Sequence, residues 1–267
     1  MMADTIQLDF YPGYARLTLN RPEAHNAMSN QMVAEILAAL QALHERRDIR
    51  ALVIAAAGKT FCSGGDIKDM QEAASQTLEE KVATMSVFDH MLRAAQEAPQ
   101  VILARVQGSA MGGGFGLVCA ADIAVGGESA KFGLPEVRLG LSPALISPYV
   151  ISRLGISRAR QLMLTGARFG AEEALAYGLL HEVAPDENLD EALNRHLGQV
   201  LECSPNALAE TKKLIAHVTS RSLDESLRYR AELISTIRET PEAQEGMMAF
   251  IQKRPPSWTE KPQTPSS

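Results

Sequence analysis

The stretch Ser109-Ala110-Met111-Gly112-Gly113-Gly114-Phe115-Gly116-Leu117-Val118-Cys119-Ala120-Ala121-Asp122 decides how the rest of the chain is read. The apolar run 101–106 precedes it and reads as a buried strand; the residues after the glycines are small and apolar enough to pack as a helix. Glycine in the first turn of a helix weakens it by up to about 1 kcal/mol relative to alanine, so three in succession need a cause. One cause is a tight turn with close helix packing. The other is an anion-binding turn, in which a strand runs into a helix N-terminus and leaves backbone N–H groups aimed outward at a ligand oxygen. Taken alone, the three glycines do not separate these.

Working outward, the pattern recurs. The continuous apolar run 51–56 reads as a second buried strand, and Ser63-Gly64-Gly65-Asp66 follows it directly before a helical segment. Upstream, 6–10 and 14–19 flank Pro12-Gly13 as two strands around a turn, with Ala15, Leu17 and Leu19 alternating. A polar loop, 20–27, then leads to a helix that Ser29 caps and that carries Met32, Val33, Ile36, Leu37, Leu40 and Leu43 on one face. An amphipathic helix over 78–95 separates the two glycine turns. Beyond them, 123–125 reads as a short strand and 131–141 as an apolar, turn-rich segment with one acid, Glu136. From about Pro143 the pattern is helical: 144–154, 157–164, 171–177, then longer segments from Asn188, Pro205 and Ser222, the last with Leu223, Leu227, Ile234 and Ile237 in one stripe. Strands early and helices late describe an α/β core with a helical C-terminal part. We expect a core over 1–200, a helical region over 201–256 and a disordered tail over 257–267.

The 267 residues are 46% apolar and 22% charged, with a net charge of -6, enough apolar content for a large core and too acidic for nucleic acid or an anionic membrane as principal partner. Cys62, Cys119 and Cys203 lie far apart without a CxxC, so neither a disulfide framework nor a zinc site is expected. The N-terminus lacks the basic start and apolar run of a secretion signal, and no stretch approaches the roughly 20 apolar residues of a membrane span. A cytoplasmic protein is expected.

If the two glycine turns lie side by side, one N–H from each converges on a single oxygen, as in an oxyanion hole, where loss of a donor costs roughly 3–4 kcal/mol in other enzymes. Glu136, after a proline and among Phe132, Leu134, Val137, Leu139 and Leu141, is the candidate acid or base, its pKa raised by desolvation; pairing with Arg138 is the alternative. His25 and His90 read as solvated or hydrogen-bonding residues. Asp66 reads equally as a helix cap and a ligand contact, Asp122 as a structural hydrogen-bond acceptor, and Cys62 as a small buried residue. No Walker lysine follows the glycines, the GGGFG run lacks the GxGxxG spacing, and no ligand cluster is present, so no metal and no nucleotide redox cofactor is expected.

Together, 19–27 (LNRPEAHNA), 60–68 (TFCSGGDIK), 108–116 (GSAMGGGFG), 132–136 (FGLPE) and 245–254 (EGMMAFIQKR) resemble the crotonase family, the enoyl-CoA hydratases and isomerases. The resemblance covers about 6–256. It implies a spiral of ββα turns followed by a helical trimerisation region, a trimer or dimer of trimers, and a coenzyme A thioester as substrate with no tightly bound cofactor. Position by position, it implies that Gly65 and Gly113 hold the thioester oxygen and that Glu136 is catalytic. It also implies that Ala24, His25, Ala27, Ser63, Asp66, Ile67 and Gly112 line the adenine and pantetheine path. On the same resemblance, Phe250 and Lys253 are expected to reach a neighbouring subunit's ligand, and Met111, Pro135, Arg138, Leu141 and Ser142 to line the acyl pocket. One departure stands out: the two-carboxylate hydratases carry a glutamate where this chain has Gly116. The segment 136–150 resembles the subgroup acting on 3-methylglutaconyl-CoA and isohexenylglutaconyl-CoA, whose substrates bear a second carboxylate; Arg138, Ser142, Ser147 and Tyr149 are candidates to meet it. The expected activity is hydration of such an enoyl thioester. Isomerisation or decarboxylation, or a binding protein that has lost the chemistry, are the alternatives.

Overall fold

The computed structural model describes residues 5–259; the rest of the expected tail, 260–267, lies outside the described residues. The first half comprises β1 (Ile6–Tyr11), β2 (Tyr14–Leu19), α1 (Asn30–His44), β3 (Ala51–Ala56), α2 (Ile67–Glu72), α3 (Leu78–Glu97), β4 (Val101–Val106), β5 (Ser109–Met111), α4 (Gly113–Ala120), β6 (Ile123–Gly127) and β7 (Lys131–Gly133). Then follow α5 (Ser147–Thr165), β8 (Arg168–Gly170), α6 (Ala171–Ala176), β9 (Glu182–Ala184), α7 (Leu189–Leu201), α8 (Pro205–Thr219), α9 (Leu223–Ile237) and α10 (Pro241–Ile251).

Among the described residues the strands form two sheets, ordered β1-β2-β3-β4-β6-β9 and β5-β7-β8. The β1–β2 pair is an antiparallel hairpin, while β2, β3, β4, β6 and β9 are mutually parallel. Parallel bridges Met28↔Gly65 and Cys62↔Ala110 extend the smaller sheet through residues outside any named strand. Each turn of the chain therefore lays one segment in the large sheet, one along the small sheet and one helix: the ββα spiral.

The continuous apolar strands are buried on both faces, as parallel strands are. Leu52, Ile54, Ile102 and Ala104 face a core shared with α1, α3 and α4. Ala51, Val53, Val101 and Leu103 face a second core closed by Leu189, Leu193, Leu197 and Val200 of α7.

Three details differ from the sequence reading. A separate strand, β5, stands between the 101–106 strand and the glycines. Two further strands, β8 and β9, interrupt the helical second half; at three residues each they are too short to show a period. The helices expected over 144–154 and 157–164 meet end to end within α5, which begins at Ser147 and is broken at Gly155 by φ 71°, ψ 159°.

Asp122 is the structural acceptor expected. Its Oδ2 takes the Ile102 N–H at 2.7 Å and the Lys212 ammonium at 2.6 Å, and Lys212 also donates to Gln100 O at 2.9 Å. This pair fastens α8 to the start of β4, with the Lys212 side chain 11% exposed. Burial pushes the Lys212 pKa down, against the pull of Asp122. Lys212→Met should lower the unfolding free energy by about 1–2 kcal/mol, read by chemical denaturation, because it leaves a half-buried carboxylate without its cation. An unchanged midpoint would show that the pair is idle.

The start of the expected tail is packed. Ser257 N donates to Glu245 Oε1, Trp258 Nε1 to Glu202 O, and Arg50 to Trp258 O. Among the described residues no helix is long and apolar enough to cross a membrane.

Candidate active site

The first glycine turn lies between two neighbours. On one side Cys62 N donates to Ser109 O and Met111 N to Cys62 O; on the other Ser63 N donates to His25 O, Met28 N to Gly64 O and Asp66 N to Met28 O. Phe61 N is taken by Gln107 O and Gly64 N by the Cys62 sulfur. From 61 to 66, Gly65 alone has an amide with no protein acceptor among the described residues. In a parallel pair, the N–H and C=O of the residue opposite Met28 point away from it. Gly64, at φ +106°, turns the chain so that the Gly65 amide points to the β5 side. There the neighbouring strand has ended: Gly112 (φ 50°, ψ -117°) diverts the chain into α4. The carbonyl that would pair with Gly65 in a regular sheet is therefore carried away.

Gly113 opens α4, and its amide belongs to the first helical turn, which has no internal acceptor. The two turns touch. A Cβ on Gly64 would stand 3.3 Å from Met111 O, and a Cβ on Gly112 would stand 3.7 Å from the Gly64 Cα and 3.0 Å from Glu136 Oε1. The two glycine turns and the Glu136 carboxyl group thus meet, next to the Gly65 and Gly113 amides.

Glu136 sits in a 3-10 turn, Pro135–Leu139, that follows β7. Gly112 N donates to Gly133 O, which ties β7 to the glycine run, and Leu141 N closes the turn on Glu136 O. Glu136 Oε2 is buried and accepts no hydrogen bond from the described protein. Desolvation accordingly raises its pKa above the ordinary 4.5, with only its own backbone opposing. Arg138 is not its partner: its Nε donates to Thr165 O at 3.1 Å. As a base, Glu136 must be ionised, so the acid limb of kcat/KM should lie above pH 4.5, measured from a pH series on the free enzyme. A limb at or below that value would count against a desolvated base.

Of the expected binding residues, His25 and Ser63 are joined through Ser63 N and His25 O, and Ala24, Ala27 and Ile67 lie on the same two segments. His25 is exposed and its ring reaches Thr60 Oγ1 at 3.3 Å. Asp66 caps α2 through Lys68 N and pairs with Arg21 at 2.9 Å. Burial pushes the Asp66 pKa up, but the hydrogen bonds from Arg21 and Lys68 N outweigh it and hold the group below the usual range. Met111 is buried in β5, and Leu141 and Ser142 are exposed beyond the 3-10 turn. Ser147 Oγ donates to Ala144 O, and the Tyr149 hydroxyl to the carbonyl and carboxylate of Asp89 on α3. Phe250 is 86% exposed on α10; no hydrogen bond or ion pair among the described residues joins it or Lys253 to the glycine turns. Cys62 is fully buried, its thiol pushed up to about 12 by desolvation, and a Cβ on Gly114 would fall 2.6 Å from its Cβ.

Sequence reasoning missed four residues. Asn26, buried in the 20–27 loop, donates to Ala57 O and Thr60 O and accepts from Arg21 N. Arg21 donates to Ala27 O and Asp66. Phe88 of α3 covers Gly113, and Ile146 covers Gly116: a Cβ there would lie 2.3 Å from Ile146 Cγ2. The first two stand in the 19–27 motif beside Ala24, His25 and Ala27, the residues singled out there; the last two come from other segments with no local signal.

The enoyl-CoA hydratase/isomerase family model matches residues 9–261. Pseudomonas aeruginosa AtuE superposes with a TM-score of 0.94 at 43% identity, covering 96% of this chain and 100% of that one. An enoyl-CoA hydratase/isomerase from Marinobacter aquaeolei gives 0.93 at 41%, covering 97% and 100%. A probable enoyl-CoA hydratase of Rhodobacter capsulatus is 32% identical over 260 residues, 97% of this chain and 99% of its own length. The chain belongs to the enoyl-CoA hydratase/isomerase family, the crotonases, and is an enzyme of that class.

Proposed function

We propose that this enzyme adds water across the C2=C3 bond of an enoyl-CoA thioester, with Glu136 as its acid–base group and the Gly65 and Gly113 amides as oxyanion donors. The observation that carries this is the contact of the two glycine turns with each other and with Glu136, whose Oε2 is buried without a hydrogen-bond partner among the described residues. The water oxygen bonds to C3 as Glu136 takes one of its protons; the C2=C3 electrons shift to the thioester oxygen, which the two amides hold as an enolate. The protonated Glu136 then delivers its proton to C2, and the thioester carbonyl re-forms. We assign the Ala24–Ala27 and Ser63–Ile67 segments to the coenzyme A moiety, which is part of the substrate, on the likeness of their motifs to the family's.

A second reading has one observation in its favour. Ile146 and Leu92 fill the space into which a side chain at 116 would project, so that position holds aliphatic atoms and no second carboxylate. That environment also suits proton transfer between C2 and C4, which needs no water. For the acyl group we propose a branched glutaconyl type, supported by the likeness of 136–150 to enzymes acting on such thioesters. Arg138 and Ser142 are exposed on that segment; Ser147 and Tyr149 direct their hydroxyls to protein acceptors. A panel of enoyl-CoA and glutaconyl-CoA thioesters followed by mass spectrometry tests both points. A gain of one water supports hydration, and unchanged mass with a moved double bond replaces it by isomerisation.

We further propose a homotrimer or dimer of trimers, supported by the exposed apolar residues Leu223, Leu227, Ile234, Phe250 and Ile251 on α9 and α10. A monomeric mass by sedimentation equilibrium would refute it.

A further inference from the structure

The Gly65 amide is aimed by its neighbours, and Arg21 is bonded to both flanks. Its Nη1 donates to Ala27 O at 2.7 Å and to Asp66 Oδ2 at 2.9 Å. Ala27 directly precedes Met28, whose N–H and C=O hold Gly64 and Asp66 on either side of Gly65. Asp66 directly follows Gly65, and its other oxygen caps α2 through Lys68 N at 2.9 Å. The loop that carries Arg21 is itself fixed: Asn26 accepts from Arg21 N and donates to Ala57 O and Thr60 O, although His25 and Asn26 stand at φ 51° and 52°, where non-glycine residues are uncommon. The Arg21 and Asp66 side chains are 21% and 10% exposed, so the pair is only weakly screened.

Two consequences follow for the amide between them. Its direction depends on the Ala27–Met28 strand staying beside Asp66, and Arg21 is the side chain that joins them. In addition, a carboxylate one residue from Gly65 opposes negative charge gathering on an oxygen held there, and a bound guanidinium cancels that opposition. Building on the oxyanion reading above, we propose that Arg21 is a positioning residue for the Gly65 amide: it braces the two segments flanking that amide and neutralises Asp66 beside the developing enolate.

The test compares wild type, Arg21→Met, Arg21→Lys, Asp66→Asn and Arg21→Met/Asp66→Asn. One readout is kcat and KM with the enoyl thioester that the wild type turns over fastest. The other is the infrared frequency of the carbonyl of bound, carbon-13-labelled hexanoyl-CoA, a saturated thioester that cannot be hydrated and whose C=O stretch falls as the amides polarise it. For Arg21→Met we expect kcat to fall about 30-fold, part of what the loss of a whole oxyanion donor costs, with KM held within about threefold and a smaller carbonyl shift. The double variant should exceed Arg21→Met in kcat, because Asn still caps a helix and carries no charge. Arg21→Lys, which keeps the charge but not the rigid, planar head that sets Nη1 between the two acceptors, should fall between.

A wild-type carbonyl shift and kcat in Arg21→Met overturns the proposal, as does a loss confined to KM or a double variant worse than the single. If Arg21→Met does not fold, Arg21→Lys decides: a reduced shift with lowered kcat supports the proposal, and an unchanged shift overturns it. If the wild type itself shows no carbonyl shift, the oxyanion reading fails instead, and the two failures are distinguishable.

Discussion

Glu136→Gln should lower kcat by about 10⁴-fold while leaving the affinity for a coenzyme A thioester within about twofold, because one group serves both proton steps and general acid–base catalysis alone accounts for up to that factor. Glutamine keeps the shape but can neither take the water proton nor return one to C2. The same variant carries a stability signature of known sign. Burial raises the pKa of Glu136 in the folded protein above 4.5, so the native state binds the proton more tightly than the unfolded chain does. The stability this confers is complete below the unfolded pKa and is lost as pH rises through the folded one. The glutamine variant, which never ionises, should therefore be more stable than wild type at neutral pH and should lose that advantage below about pH 4. Loss of activity without this stability gain would place the carboxyl group in a solvated setting and undo the argument for a desolvated base. A variant that kept most of its turnover would remove Glu136 from the mechanism.

Gly116→Glu, which restores the carboxylate of the two-acid hydratases, should cost stability and add no activity. A Cβ at 116 would fall 2.3 Å from Ile146 Cγ2 and 2.9 Å from its Cβ, with Leu92 Cδ1 at 3.7 Å. The Ile146 Cβ is fixed to the backbone and cannot swing aside as the end of a long side chain does. The added group would also place a carboxylate among aliphatic atoms, where ionisation is costly. Overpacking and an unpaired buried acid together should remove about 4 kcal/mol, at the diagnostic end of single-mutant effects. Adding Ile146→Ala should recover about 1–3 kcal/mol of that, a coupling that a thermodynamic cycle measures directly. Additive effects would show that Ile146 is not what fills the position.

These two sites also show how far the sequence carried the reading. The glycine turns, Glu136 and the two-faced apolar strands were legible because each depends on local chemistry: glycine where a side chain cannot fit, an acid after a proline in an apolar run, and unbroken apolar segments for strands buried on both faces. Short strands such as β8 and β9 were not, because three residues hold too little of a period. Nor were the partners of a site. Ile146 against Gly116, Phe88 against Gly113 and Asp89 against Tyr149 are contacts between segments that are not neighbours in sequence, and no local pattern records which will meet. Arg21 and Asn26 were in plain view within a motif, but their role lies in bonds to Asp66, Ala57 and Thr60, which only the closed spiral brings near.

In the large sheet the strands stand side by side in the order in which the chain makes them, β1 through β4, then β6 and β9. Growth on a ribosome can therefore proceed like winding thread on a spool, each finished turn offering one edge to the next. Every parallel join spans a long loop, so closure is slow, and the half-wound molecule presents a bare, apolar strand edge until the following turn arrives. The time of greatest exposure to aggregation thus falls after β4 has emerged and before α7 has covered the second face of the sheet.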